Sequence, residues 1–373
     1  MSLRCVGALL ACVVAFSSSA AHAQKLHAVL VADISPAAKW GVFEPNLVMD
    51  VLHMQDMLEH GCPVSRLAAT QHWLERNEDA TPDTVLTAIA DLRANRNDAI
   101  LIYYTGHGGL DDRGSYFHMA GGRLYRDEVL AAAKRHGTRL VVLLSDCCNS
   151  RDDGRLQLAP RAGRFERDDY SPLFKSLFVA PKGVVDVNAC GPSESAFFLP
   201  PPKQDGDEMG SLFTTALTRW AKEKSDEASS WDALLSDVGV QVHLMFREAY
   251  PEGIAPAKGA AAQRDQNVFA RAYPGMPSDK GVRLGIAARE STDGVGVVIV
   301  EVVEGSPATK AYDIDNEAYV ALAMGKRITA INGRPIASPK DFDDAVKASP
   351  QIMRLTIVGV DRSGRDFLVR LSH

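Results

Sequence analysis

The sequence lacks any excess of basic residues: 41 Lys and Arg against 47 Asp and Glu leave a formal charge of −6. Without a basic stripe to follow a phosphate backbone, nucleic acid is not an expected partner. It also lacks an apolar run long enough to cross a bilayer, since the run from Val6 to Phe16 is too short. No internal repeat is visible, which argues against solenoids and propellers. Nor does any group of carboxylates show the ligand spacing of a calcium site, so no cofactor is expected from spacing. Cysteine is sparse, with six in 373 residues.

What is present is ordinary globular composition, 46% hydrophobic and 24% charged, in a chain long enough for two or three cores. Residues 1–23 read as a secretory signal: Arg4, the apolar run, then Ala21-His22-Ala23 as a small-x-small cleavage site before Gln24. That predicts export to a periplasmic or extracellular space, with no membrane attachment after cleavage. Cleavage would leave Cys62, Cys147, Cys148 and Cys190. Four cysteines in an exported chain ordinarily invite disulfides. Two of these, however, are adjacent at a strand tip, where neighbouring side chains diverge and bridging would strain the backbone, so a working thiol is a live alternative.

Short apolar runs at His27–Asp33, Ala99–Tyr104, Leu140–Asp146 and Gly183–Ala189 read as buried strands. Ser65–Thr70 is a further candidate, and Val268–Ala272 a last one. Between them the spacing predicts helices over Asn46–His60, Thr81–Arg93, Arg126–Arg135, Ser211–Lys224 and Ser230–Tyr250, with Thr81 as N-cap and Pro82 in the first turn. Strands alternating with helices argue for an α/β fold with a mainly parallel sheet. Tyr116–Met119 reads as part of a small hairpin. Arg151, Arg155, Arg161, Arg164 and Arg167 fall in a polar stretch from 151 to 172 with little to bury, expected to be an exposed loop. A Pro- and Gly-rich linker over 273–280 separates residues 24–272 from 281–373. The latter hold β-rich runs at Val295–Val303 and Leu355–Val360 and one helix over Pro339–Lys347.

The chemistry concentrates at two strand tips. Gly106-His107-Gly108 ends one apolar run, and Asp146-Cys147-Cys148 ends another. On neighbouring parallel strands both emerge on the edge where open α/β sheets bind ligands. A thiol attacks a carbonyl as thiolate, and a nearby imidazole is the usual means of forming it. The pattern therefore points to a hydrolase with His107 as base and Cys148 as nucleophile. The backbone amides of Gly108 and Cys148 are then candidates to face the oxyanion.

On these residues, 27–272 resembles the caspase-like cysteine peptidases, most closely the metacaspases. The matches are Y-Y-T-G-H-G-G, S-D-C-C-N-S, and in the same order Leu47–Asp50, N-A-C-G-P-S-E-S-A from Asn188, and G-S-L-F-T-T-A-L from Gly210. The resemblance implies a caspase-like fold and a Cys-His dyad. It also implies an acidic pocket of Asp50 and Asp146 that selects Arg or Lys through charge-assisted hydrogen bonds. It leaves calcium dependence open. The chain departs from the family at Asn149-Ser150-Arg151, where His-Ser-Gly stands. The Arg-rich loop lies where such enzymes are often processed, so self-cleavage after Arg161 or Arg164 is an expectation.

Residues 281–373 resemble a PDZ domain of exported proteases, through R-L-G-I at 283–286, E-G-S-P-A at 304–308 and G-K-R-I-T-A-I-N-G from Gly325. This implies that Leu284, Gly285 and Ile286 receive a peptide C-terminus beside an added strand. The combined expectation is an exported cysteine endopeptidase acting on protein or peptide substrates. The competing reading is a catalytically silent caspase-like domain whose PDZ domain is the working part.

Overall fold

The computed structural model describes residues 24–33, 44–73, 81–148, 168–192, 194–200, 208–254, 263–276, 284–349, 352–358 and 364–371. The expected signal segment 1–23, residues Asn149–Arg151, the Arg-rich stretch up to Arg167 and residues 277–283 around the expected linker lie outside them.

Apolar runs buried along their whole length form β1 (Leu26–Ala32), β3 (Ala99–Gly106) and β7 (Leu140–Cys147), flanked by β2 (Leu67–Trp73) and β8 (Gly183–Asn188). Among the described residues they join β9 (Phe269–Ala272) in a six-stranded sheet ordered β2-β1-β3-β7-β8-β9. All pairs are parallel except β8 with β9. Strands buried on both faces need cover on both, and the chain supplies it. Leu30, Leu101, Tyr103 and Val142 point to one core with α1 (Glu44–Gly61), α4 (Pro172–Phe174, continuing as a π-turn to Val179), α5 (Leu212–Glu223) and α6 (Trp231–Ala249). Val29, Ile102, Tyr104 and Leu143 point to the other, under α2 (Pro82–Ala90) and α3 (Arg126–Lys134).

The expected α/β architecture is therefore the one found, with local corrections. The second strand begins at Leu67 rather than Ser65, because Val64–Arg66 after Pro63 coil into a 3-10 turn and pairing starts at Leu67 opposite Leu26. The expected hairpin is a three-stranded antiparallel sheet of β4 (Gly108–Asp111), β5 (Gly114–Met119) and β6 (Gly122–Tyr125). The helical stretch at 172–179 gave no signal: its apolar residues seat against Trp231 and Gly61, contacts set by distant chain.

A separate β-rich unit follows, with β10 (Ile286–Glu290), β11 (Val297–Val302), β12 (Ala311–Asp313), β13 (Ala318–Val320), β14 (Arg327–Ile331), β15 (Arg334–Pro335), β16 (Ile352–Val358), β17 (Gly364–Arg370) and α7 (Pro339–Lys347). Its core of Val297, Ile328, Phe342, Met353 and Val369 is its own. The unit docks on α6: Val240 packs with Tyr312 and Leu368, and Tyr319 Oη donates to Asp237 Oδ1 at 2.6 Å. The hairpin β12–β13, in the long connection of 309–324, makes much of that contact.

Candidate active site

Register fixes the site. Gly106 pairs with Cys147 across β3 and β7, so His107 and Cys148 are the next residues beyond two strands about 5 Å apart. His107 is 6% exposed and Cys148 half-buried. The other thiol of the pair, Cys147, faces the opposite core, donates to Asn188 Oδ1 at 3.4 Å, and burial pushes it up to about 12. A thiol so hard to ionise is a poor nucleophile. Among the described residues no disulfide joins Cys62, Cys147, Cys148 or Cys190.

The residues around His107 each hold it. Tyr104, buried and stacked on Phe117 at 4.4 Å, donates its hydroxyl to the His107 carbonyl at 2.7 Å. That carbonyl also accepts from His118 N at 2.9 Å, tying the histidine to β5. Gly108 runs so close to the second strand that a Cβ there would meet Cys147 Sγ at 2.6 Å and Cys148 O at 2.7 Å. Only glycine lets these two tips approach so closely.

Below them lies the acidic pair. Asp50 is fully buried on α1 and Asp146, at the end of β7, is 4% exposed. Both are anchored at the N-terminus of α5, where backbone amides and the helix dipole favour negative charge. Asp50 accepts from Thr105 Oγ1 at 2.9 Å and from Ser211 N at 2.8 Å. Asp146 accepts from Thr214 N at 3.1 Å, Thr214 Oγ1 at 2.7 Å and the Ser211 hydroxyl. Those bonds do not fully offset burial. Desolvation, and then the charge of Asp146, raise Asp50 well above the usual carboxylate range, and desolvation lifts Asp146 to about 6. Among the described residues neither carboxylate has an ion-pair partner. Asp50 is therefore no solvated helix residue, and the pair is a buried concentration of negative charge at the end of β7.

Several supporting residues were not singled out from sequence. Arg126, at the start of α3 and buried, donates to Asp186, to the Ser145 hydroxyl and to Val187 O at 2.6 Å. Ser145 donates in turn to Asn188 Oδ1 at 2.5 Å, and Asn188 Nδ2 to Cys147 O at 3.3 Å, so the backbone of the cysteine pair rests on a buried polar network. On the far side, Cys148 Sγ lies 3.7 Å from Ala196 O. Gln266 staples that segment, accepting from Phe197 N at 2.9 Å and donating to Ala189 O at 3.0 Å. An arginine beside helix-start residues, or a glutamine in a loop, reads as surface until the partners are in place. No group of three or more His, Cys, Asp or Glu side chains among the described residues is placed to hold a metal ion.

Leu284, Gly285 and Ile286 stand far from these groups in sequence, at the head of β10, and line a cavity of about 660 Å³ with Phe342 and Val346 of α7.

No family model matches the chain, and no curated relative does. Among solved structures, caspase-1 from Spodoptera frugiperda is similar at 14% identity over 66% of this chain and 86% of that one, with a TM-score of 0.44. The structure described as pro-sf-caspase-1 is similar at 13% identity over 67% and 87%, with a TM-score of 0.39.

Proposed function

We propose that the chain is an exported, caspase-like cysteine endopeptidase that cleaves after Arg or Lys and carries a PDZ-type peptide-binding domain. His107 takes the proton of the Cys148 thiol, and Sγ attacks the carbonyl carbon of the scissile bond. The amides of Gly108 and Cys148 meet the oxyanion. The amine leaves with the imidazole proton, and water, deprotonated by the same imidazole, releases the acid and regenerates the thiol.

The observation that carries the reading is the pair Asp50 and Asp146. Two carboxylates kept out of water, raised by burial and facing no described cation, are costly to the folded protein. A guanidinium or ammonium entering between them relieves that cost and becomes the specificity determinant. Leu284, Gly285 and Ile286 receive the C-terminus of a partner peptide.

Competitive alkylation tests the nucleophile. Iodoacetamide should label Cys148 faster than Cys62, Cys147 and Cys190, and His107→Ala should slow that labelling. Equal labelling of all four, or fastest labelling elsewhere, supports the silent-domain alternative and defeats this reading. Export is tested by the mass of the secreted protein, expected to begin at Gln24.

A further inference from the structure

The cavity at the head of β10 is built by both halves of the molecule. Its apolar floor of Leu284, Ile286, Phe342 and Val346 belongs to the β-rich unit, while Asp232 and Tyr273 come from the α/β unit. β10 is the outermost strand of its sheet and, among the described residues, pairs only with β11, so an extended peptide can add to its open edge. Gly285, next to the first residue of β10, is closely held. Gly285 has φ of 74° and a Cβ there would stand 2.0 Å from Ser306 Cβ, while its carbonyl accepts from Val303 N at 2.8 Å.

The cavity also holds a cation already in use. Arg370 of β17 is 8% exposed at its side chain and donates to Asp232 Oδ1 at 2.8 Å and Asp232 O at 2.7 Å. It lies 4.9 Å over the Tyr273 ring, and the Tyr273 hydroxyl donates to the same Asp232 oxygen at 3.0 Å. The acid, by contrast, is 57% exposed. A buried guanidinium thus faces a more than half-exposed carboxylate at the end of an apolar groove with an open strand edge, whose lining also carries Lys310, Glu304 and Asp343.

We propose that Asp232 occupies the place of a ligand's carboxylate at Arg370. A peptide with a free C-terminal carboxylate and an apolar last side chain enters between β10 and α7. Its carboxylate takes Arg370 from Asp232, so that a residue of the peptidase unit sets the affinity of the peptide groove. The inference rests on the reading of Leu284 to Ile286 as a peptide site and needs no catalysis.

The test uses the full chain with Cys148→Ala, so that no probe is cut. A fluorescein-labelled peptide ending in leucine is offered as free acid and as C-terminal amide, and binding is read by anisotropy. Asp232→Ala should tighten the free acid about fivefold, the scale of a half-exposed ion pair, and leave the amide unchanged. Arg370→Gln should weaken the free acid and erase its advantage over the amide. Asp232→Asn, which keeps the shape and an acceptor for Tyr273, is read if the alanine variant does not fold. Unchanged or weaker binding of the free acid to the folded Asp232 variant overturns the proposal. If the parent protein binds neither probe, the peptide-site reading falls with it.

Discussion

Replacing Asp50 with Asn should stabilise the protein while removing the proposed preference for basic residues. The amide can keep both bonds of the carboxylate, its oxygen accepting from Ser211 N and its NH2 donating to Thr105 Oγ1, whose hydroxyl turns to accept. What changes is charge. Asp146 stands at about 6 against an ordinary value of 3.8, so ionising it in place costs roughly 3 kcal/mol, and Asp50 is raised as well, by its own burial and by the charge of Asp146. Removing one of the two charges should recover roughly 1–3 kcal/mol at a pH of about 7.5. A carboxyl raised in the folded state binds its proton more tightly folded than unfolded. Its penalty is therefore fully present above its raised folded-state value and fades as pH falls from there toward the unfolded value of about 4. The advantage of Asp50→Asn over the parent should then shrink at a pH of about 5. Groups other than Asp146, which loses a charged neighbour in the variant, cancel in the comparison. Cleavage after Arg should fall roughly a hundredfold in kcat/KM, the loss of one buried charge-assisted contact. Thermal unfolding at the two pH values, with kinetics on an arginyl peptide, reads both effects. A variant that melts below the parent at a pH of about 7.5 and still cleaves the arginyl peptide at full rate would refute the reasoning.

Gly108→Ala should abolish turnover and Cys148 alkylation while circular dichroism stays native, because its Cβ would press on Cys147 Sγ and Cys148 O at the tip alone. Ser211→Ala removes the N-cap of α5 and a donor to Asp146, and urea unfolding should show a loss of about 1–2 kcal/mol. His243, on α6 against Asp265 and facing the charges of Arg354 and Arg247, is lowered to about 3, mainly by burial. A histidine held neutral when folded but protonated when unfolded costs stability as pH falls below about 6.5. His243→Leu should therefore make unfolding less acid-sensitive, by roughly 2 kcal/mol between a pH of about 6.5 and 5.

Much of the first unit was legible because its strands are short apolar runs that need both faces covered, and its helices announce their starts with Thr81-Pro82, Ser211 and Ser230. The strand tips were legible for the same reason: a polar His or Asp-Cys at the end of such a run has one edge to occupy. The state of Asp50 was not legible. Its helix offers it to either solvent or core, and Ser211, 161 residues away, decides. The docking of the β-rich unit was equally hidden, because Asp232, Arg370 and Tyr319 each read as an ordinary surface residue. The 172–179 turn failed for another reason: eight residues rich in Leu, Phe and Val suit strand or helix alike, and packing on Trp231 selects.

The central claim is a Cys148–His107 centre that reads a basic side chain through Asp50 and Asp146. It is tested most directly by a fluorogenic peptide set differing only at the residue before the scissile bond, offered to the parent, Cys148→Ala and His107→Ala. The account expects cleavage after Arg and Lys by the parent, little after Ala or Asp, and none by either variant. Cleavage that survives both substitutions, or a parent that leaves every peptide intact, would contradict it.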